Sequence, residues 1–179
     1  MNRRNFLLGA LALAAGAKPV LAHTPYGQWV VYRKKHLLVG AHRADPRTYD
    51  LAKELAALLL EHLPESRSRV ARAPTAERIA SLIGTDQLDI AVLATADAAR
   101  MLRGSGRFKP YGAIALQLLA ELGPHQLVAH ERFPMRHAWL VAGAVHPSFI
   151  GNAQIADAGL DWHPGALAFI RGEPEPDGE

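Results

Sequence analysis

The sequence predicts an α/β fold, a three-layer domain built on a mainly parallel sheet. Three observations carry that prediction. Between Leu37 and Ala96, short apolar runs alternate with stretches whose leucines recur at helical spacing. The run Asp89-Ile90-Ala91-Val92-Leu93-Ala94 is continuously apolar, as expected of a strand covered on both faces. Two strand–helix units in series then imply parallel strands joined by right-handed crossovers.

The elements follow in order. His36-Leu37-Leu38-Val39-Gly40 reads as a first strand, with the predicted parallel segment at Leu37 to Val39. The polar stretch from His42 to Tyr49 reads as a loop opening a helix, with Asp45 as N-cap and Pro46 in the first turn. Leu51, Leu55, Leu58, Leu59 and Leu63 give that helix one buried face, and Pro64 stops it. Arg69 to Ala73 alternates like a strand. Thr75 is placed to cap a second helix through Ile79, Leu82 and Ile83, with Gly84 as its stop. After the Ile90 to Ala94 strand, Thr95 or Asp97 is expected to cap a short helix through Met101 and Leu102, ended by Gly104-Ser105-Gly106. Lys109-Pro110-Tyr111-Gly112 reads as a turn-rich link. Ile114 to Leu122 and Gln126 to Ala129 are expected as strands joined at Gly123-Pro124. Phe133-Pro134 opens a helix that His146-Pro147 should break. Gly159 to Gly165 reads as a loop, and Ala166 to Arg171 as a last helical turn or two.

The ends carry other information. Arg3-Arg4 precede an apolar run, Phe6 to Ala15, and Val20-Leu21-Ala22 has the residues a signal peptidase reads. Residues 1–22 are therefore expected to be a cleaved, twin-arginine-type signal peptide, which places the mature protein in the periplasm. An uncleaved membrane anchor is the alternative reading. Residues 23–172 form the single predicted domain and 173–179 an acidic flexible tail. A mature terminus at His23 would join an amine and an imidazole, a pair able to chelate copper, but no partner ligands are identifiable. The net charge of +3 is misleading as a functional clue. Arg3, Arg4 and Lys18 lie in the signal, so the remainder holds equal numbers of acidic and basic residues. Nucleic acid is not implied as a partner. Setting aside Glu173, Glu175, Asp177 and Glu179 leaves a small positive excess that would suit an anionic ligand.

The chain has no cysteine, which removes disulfides, thiolate metal sites and cysteine nucleophiles. Its nine histidines show no recognisable metal spacing, and no nucleophile elbow, zinc-protease helix, P-loop or glycine fingerprint occurs. No catalytic residue, cofactor or metal is expected, and the chain does not read as an enzyme. A binding site is expected instead where parallel sheets form one, at the carboxyl ends of the strands. That rule selects His42, Arg43, Arg47, Thr48, Tyr49, Thr75 and Thr95. Arg43 and Arg47 rank first because guanidinium binds carboxylate in a bidentate fork, and the Pro46 helix adds free amides for the same anion. Each has a structural alternative: a solvated loop side chain for the arginines, a helix cap for Thr75 and Thr95. Trp139 and Trp162 read better as packing than as ligand stacking.

With these residues in view, the chain resembles TAXI-type solute-binding proteins of tripartite (TRAP) transporters. Gly40 through Leu102 is similar to their first lobe, with Ala76 to Leu82 preceding Asp89-Ile90-Ala91-Val92-Leu93. Leu118 to His130 resembles the next strand pair. Phe133-Pro134 with Ala138-Trp139-Leu140-Val141 resembles the late helix, and Trp162-His163-Pro164-Gly165-Ala166 the C-terminal motif. The chain departs from the family in two ways. It is about half as long, passing from His130 almost directly to Phe133 where the second lobe would stand. It also has His42-Arg43-Ala44-Asp45-Pro46-Arg47 in place of a glycine-rich loop. The resemblance implies a single lobe of a type II periplasmic binding fold. It also implies a small anionic, carboxylate-bearing ligand, with transporter subunits as membrane partners. A homodimer would cover the face that a missing lobe exposes. The alternative is a non-catalytic periplasmic accessory protein that kept the lobe and lost the ligand.

Overall fold

The structure, a computed structural model, describes residues 35–149 and 159–177. The expected signal peptide, the His23 terminus and the strand suggested at Trp29 to Tyr32 lie outside the described residues. Strand β1 (Leu38–His42) is followed by α1 (Pro46–His62), β2 (Arg69–Ala73), α2 (Ala76–Gly84), β3 (Ile90–Ala94) and α3 (Thr95–Leu102). Then come β4 (Leu116–Leu122), β5 (His125–His130), α4 (Met135–Phe149) and α5 (Pro164–Ile170). Single 3₁₀ segments occupy Pro64–Ser66 and Gly106–Tyr111.

The strands form one sheet in the order β2-β1-β3-β5-β4. β1 pairs in parallel with β2 and with β3, as the strand–helix alternation predicts. β5 runs antiparallel to both β3 and β4. The sheet is therefore mixed, which corrects the expectation of a mainly parallel one. The reason is local: Gly123-Pro124 makes a tight turn, so β4 and β5 can only pair as a hairpin, and β5 takes the place beside β3. Gly123 has φ of 69°, the left-handed geometry such turns require.

Each strand face carries its own core. Val39, Ala41, Ile90 and Val92 pack with Leu51, Leu55 and Leu59 of α1 and with Ala138 and Val141 of α4. On the other face, Ala91, Leu93 and Val128 pack with Ile79 and Ile83 of α2, Met101 of α3 and Phe108. Alternation along β1 explains the division, since Val39 and Ala41 point one way and Gly40 the other. A Cβ on Gly40 would run into Leu88 and Ala91, so glycine there leaves room for the Leu88 side chain against β1. Burying each such leucine or isoleucine contributes about 1.5–3 kcal/mol.

The helix ends follow the sequence at α1 and α2. Asp45 accepts the Arg47 amide at 3.1 Å, and Thr75 accepts the Arg78 amide at 3.4 Å. They differ at α3, whose N-cap is Ala94 with no side-chain bond, so neither Thr95 nor Asp97 caps it. They differ again at α4, which continues through His146-Pro147 to Phe149. Proline removes the N–H that would reach the Gly143 carbonyl, yet the helix continues past it through the last described residue of the segment, Phe149. β1 also runs further than expected, to His42.

The Trp162-His163-Pro164-Gly165-Ala166 segment has a structural account. Trp162 bridges to Leu118 at the edge of β4, through Leu118 N–H to the Asp161 carbonyl (2.9 Å) and His163 N–H to the Leu118 carbonyl (2.8 Å). The buried His163 ring donates from Nε2 to the Phe133 carbonyl at 2.8 Å and accepts the Gly165 amide at Nδ1, 3.2 Å. One neutral tautomer satisfies both bonds, and burial lowers the pKa of His163 despite the Phe133 bond. Gly165 lies against the Met135 carbonyl, where a Cβ would overlap it. The tail is held as well: Trp139 Nε1 donates to the Glu173 carbonyl at 3.1 Å and Arg136 to Glu175 at 2.6 Å. No helix among the described residues is long and apolar enough to cross a membrane.

Candidate binding site at the strand carboxyl ends

The sheet order has a switch point between β1 and β3. The chain leaves β1 toward β2 on one side and reaches β3 on the other. Crevices in open α/β sheets form at such points, beyond the carboxyl ends of the strands. His42 ends β1, Ala73 ends β2 beside it, and Thr95 follows β3. The hairpin brings His125 next to Ala94, so β5 enters the same edge.

The seven residues selected from sequence all lie at this end of the fold, in different circumstances. His42 is 2% exposed and is the last residue of β1 rather than part of the loop. Its two ring nitrogens have no hydrogen-bond partner. Thr48 is fully buried, and its hydroxyl accepts the His42 amide (3.2 Å) and donates to the Asp45 carbonyl (2.7 Å). That bonding closes the turn between β1 and α1. Arg43 is exposed, and its guanidinium has no ion pair or hydrogen bond among the described residues. Arg47, also exposed, lies 3.6 Å from Glu54. Tyr49 is half-buried between two cations, with Arg72 4.3 Å and Lys53 4.9 Å from its ring centre. Thr75 caps α2. Thr95 donates through N–H and Oγ to the Pro124 carbonyl, at 3.1 and 3.2 Å, stitching α3 to the hairpin turn.

Further residues complete the site. Asp45 bonds His125 at 2.8 Å across the mouth, from the α1 cap to the start of β5. Burial would raise the Asp45 pKa, but the His125 bond and charge and the Arg47 amide outweigh it, so the carboxyl titrates below its ordinary range. Arg107, from the 3₁₀ segment, pairs with Asp97 in the first turn of α3 and with Glu77 in the first turn of α2 (3.4 Å). His42 follows Gly40 by the strand alternation and so faces this acidic pair. Burial lowers the His42 pKa, and the charges of Asp45 and Asp97 oppose that only in part. An unmade hydrogen bond on a buried group costs roughly 1–3 kcal/mol, so His42 marks a place where stability is given up. Gln126, 1% exposed, also has an unpartnered Oε1.

His125 carried a sequence signal that was not sufficient alone. It alternates with Leu127 and Ala129, which puts all three on the α1 face, but its meeting with Asp45 depends on strand order. Glu77 and Arg107 carried no signal, since their contact joins the first turn of α2 to the 3₁₀ segment far along the chain. Among the described residues no group of three histidine or acidic side chains is arranged to hold a metal ion.

No protein-family model matches this sequence, and no curated protein matches it either.

Proposed function

We propose that this chain is an exported periplasmic solute-binding protein, a single lobe of the type II binding fold related to the TAXI group of TRAP transport systems. It takes a small anionic ligand, a carboxylate, and hands it to membrane transporter subunits without catalysis. The observation that carries the reading is Arg43. An exposed guanidinium without a partner among the described residues stands at the carboxyl end of β1, at the switch point of the sheet. Arginine offers a carboxylate two parallel donors. Arg47 adds a second cation one helical position inside α1, held only by an exposed pair to Glu54. Such a pair contributes little and yields readily to a ligand. His42, the last residue of β1, offers buried ring nitrogens with no partner among the described residues.

A second reading is favoured by Asp45. Its carboxylate already takes the Arg47 amide at the N-terminus of α1, so the amides expected to cradle an anion are partly used. On that reading the lobe is an accessory protein that no longer binds solute. Native mass spectrometry of protein purified from the periplasm separates the two. A bound acid of defined mass supports the solute-binding role. A ligand-free chain, alone or as a homodimer, supports the accessory role.

A further inference from the structure

A second recess lies at the opposite, amino-terminal edge of the sheet. It has a volume of about 840 Å³, within the roughly 300–1,000 Å³ typical of ligand pockets. The end of α1 and the start of α4 form its walls. Leu37, Leu63, Phe133, Leu140 and Val141 give it an apolar lining, and Lys35, His36, His62, Arg136 and His137 give it cationic or imidazole groups. Glu65 and Asp89 are the carboxylates present. Asp89 is exposed and lines the recess. Burial raises the Asp89 pKa, and the charges of His130 and His137 partly offset this.

What such a recess takes is indicated by the chain itself. Glu175, in the tail, reaches Arg136 on the rim at 2.6 Å. A carboxylate therefore already occupies one of the cations that line the recess. Both partners are about half-exposed, so the pair contributes little and is displaceable.

We propose that this recess is a second binding site, for an amphipathic carboxylate with an unbranched apolar body, and that Glu175 holds its Arg136 anchor until the ligand displaces it. The apolar tail lies on Leu63, Phe133 and Val141, and the head is shared by Arg136 and Lys35. The site is independent of the crevice at the strand carboxyl ends, which the sheet separates from it.

Calorimetric titration of the mature chain with decanoate tests this. Decanoate is expected to bind at sub-millimolar concentration, and acetate not at all, with binding tightening about two- to fourfold per added methylene. Arg136→Gln should weaken decanoate binding at least fivefold, and Glu175→Gln should strengthen it about two- to fivefold. The Arg43→Ala, Arg47→Ala double variant should bind decanoate as wild type does, whatever it does to small carboxylates. No decanoate binding at 5 mM, equal binding of decylammonium, or unchanged affinity in Arg136→Gln or Glu175→Gln would overturn the proposal. Far-ultraviolet circular dichroism checks that each variant is folded.

Discussion

His125 Nε2 lies 2.8 Å from Asp45 Oδ2, a bond between residues eighty positions apart that fastens the start of β5 to the cap of α1. The same Asp45 carboxylate also accepts the Arg47 amide, so one side chain both ends a turn and joins two elements. Asp45→Ala removes both roles. Loss of an N-cap alone costs about 1 kcal/mol, and leaving the buried His125 nitrogen unpaired adds about 1–3 kcal/mol. Asp45→Asn keeps the cap and should cost less. Urea unfolding of the two variants measures the difference; equal stability of Asp45→Ala and wild type would show the bond to be unimportant.

Acid should weaken the fold in two stages. Burial holds the folded-state pKa of His42 and His163 below the ordinary 6.5. Between the two values the unfolded chain binds protons that the native state refuses, so their stability is present above about pH 6.5 and lost as pH falls below it. Asp45 acts lower, because its folded pKa is depressed from 3.8; its contribution is full above that value and lost below it. Unfolding free energies at pH 7, 6 and 5 should fall steadily, and His42→Gln should flatten part of that slope. An unchanged slope in the variant would mean that His42 is protonated in the native state.

Gly165 should tolerate no side chain. A Cβ there overlaps the Met135 carbonyl, backbone that cannot turn aside, at the contact between α5 and α4. Gly165→Ala is expected to cost about 1–3 kcal/mol or more, seen as a lowered melting temperature. Gly123→Ala, in open space but at φ of 69°, should cost less, roughly 1 kcal/mol from backbone strain alone.

These elements show how far the sequence could be followed. β1, β2, β3 and the capped helices between them were legible because each depends on local pattern: leucines on one helical face, Asp45 and Thr75 at caps, and an apolar run for a covered strand. The mixed sheet was not, because a turn at Gly123-Pro124 makes β4 and β5 a hairpin but does not say that β5 joins the sheet beside β3. Pro147 marks the limit of a breaker as a signal, since near a helix end it removes one bond without stopping the chain. At the crevice, the loop position was legible through the rule for strand carboxyl ends. The Asp45–His125 and Arg107–Asp97 pairs were not, because each joins elements whose neighbourhood only the folded sheet defines.

Export is the next expectation. The Arg3-Arg4 pair and the Val20-Leu21-Ala22 site predict a periplasmic protein starting at His23. N-terminal sequencing of the secreted form should give His23. Replacing both arginines by lysine should abolish export, and undiminished periplasmic yield would exclude the twin-arginine route.

The strand carboxyl ends are proposed to bind a carboxylate through Arg43 and Arg47. A charge-assisted bond contributes about 1.5–3 kcal/mol, so losing one arginine should weaken binding roughly ten- to a hundredfold. An open site at a sheet edge buries little of a ligand, so micromolar affinity or weaker is expected. Calorimetric titration of a panel of small carboxylates against wild type, Arg43→Ala and Arg47→Ala measures this directly. At least one acid is expected to bind wild type, and Arg43→Ala to lose tenfold or more. No binding by any panel member at millimolar concentration, or full affinity in both variants, would contradict it.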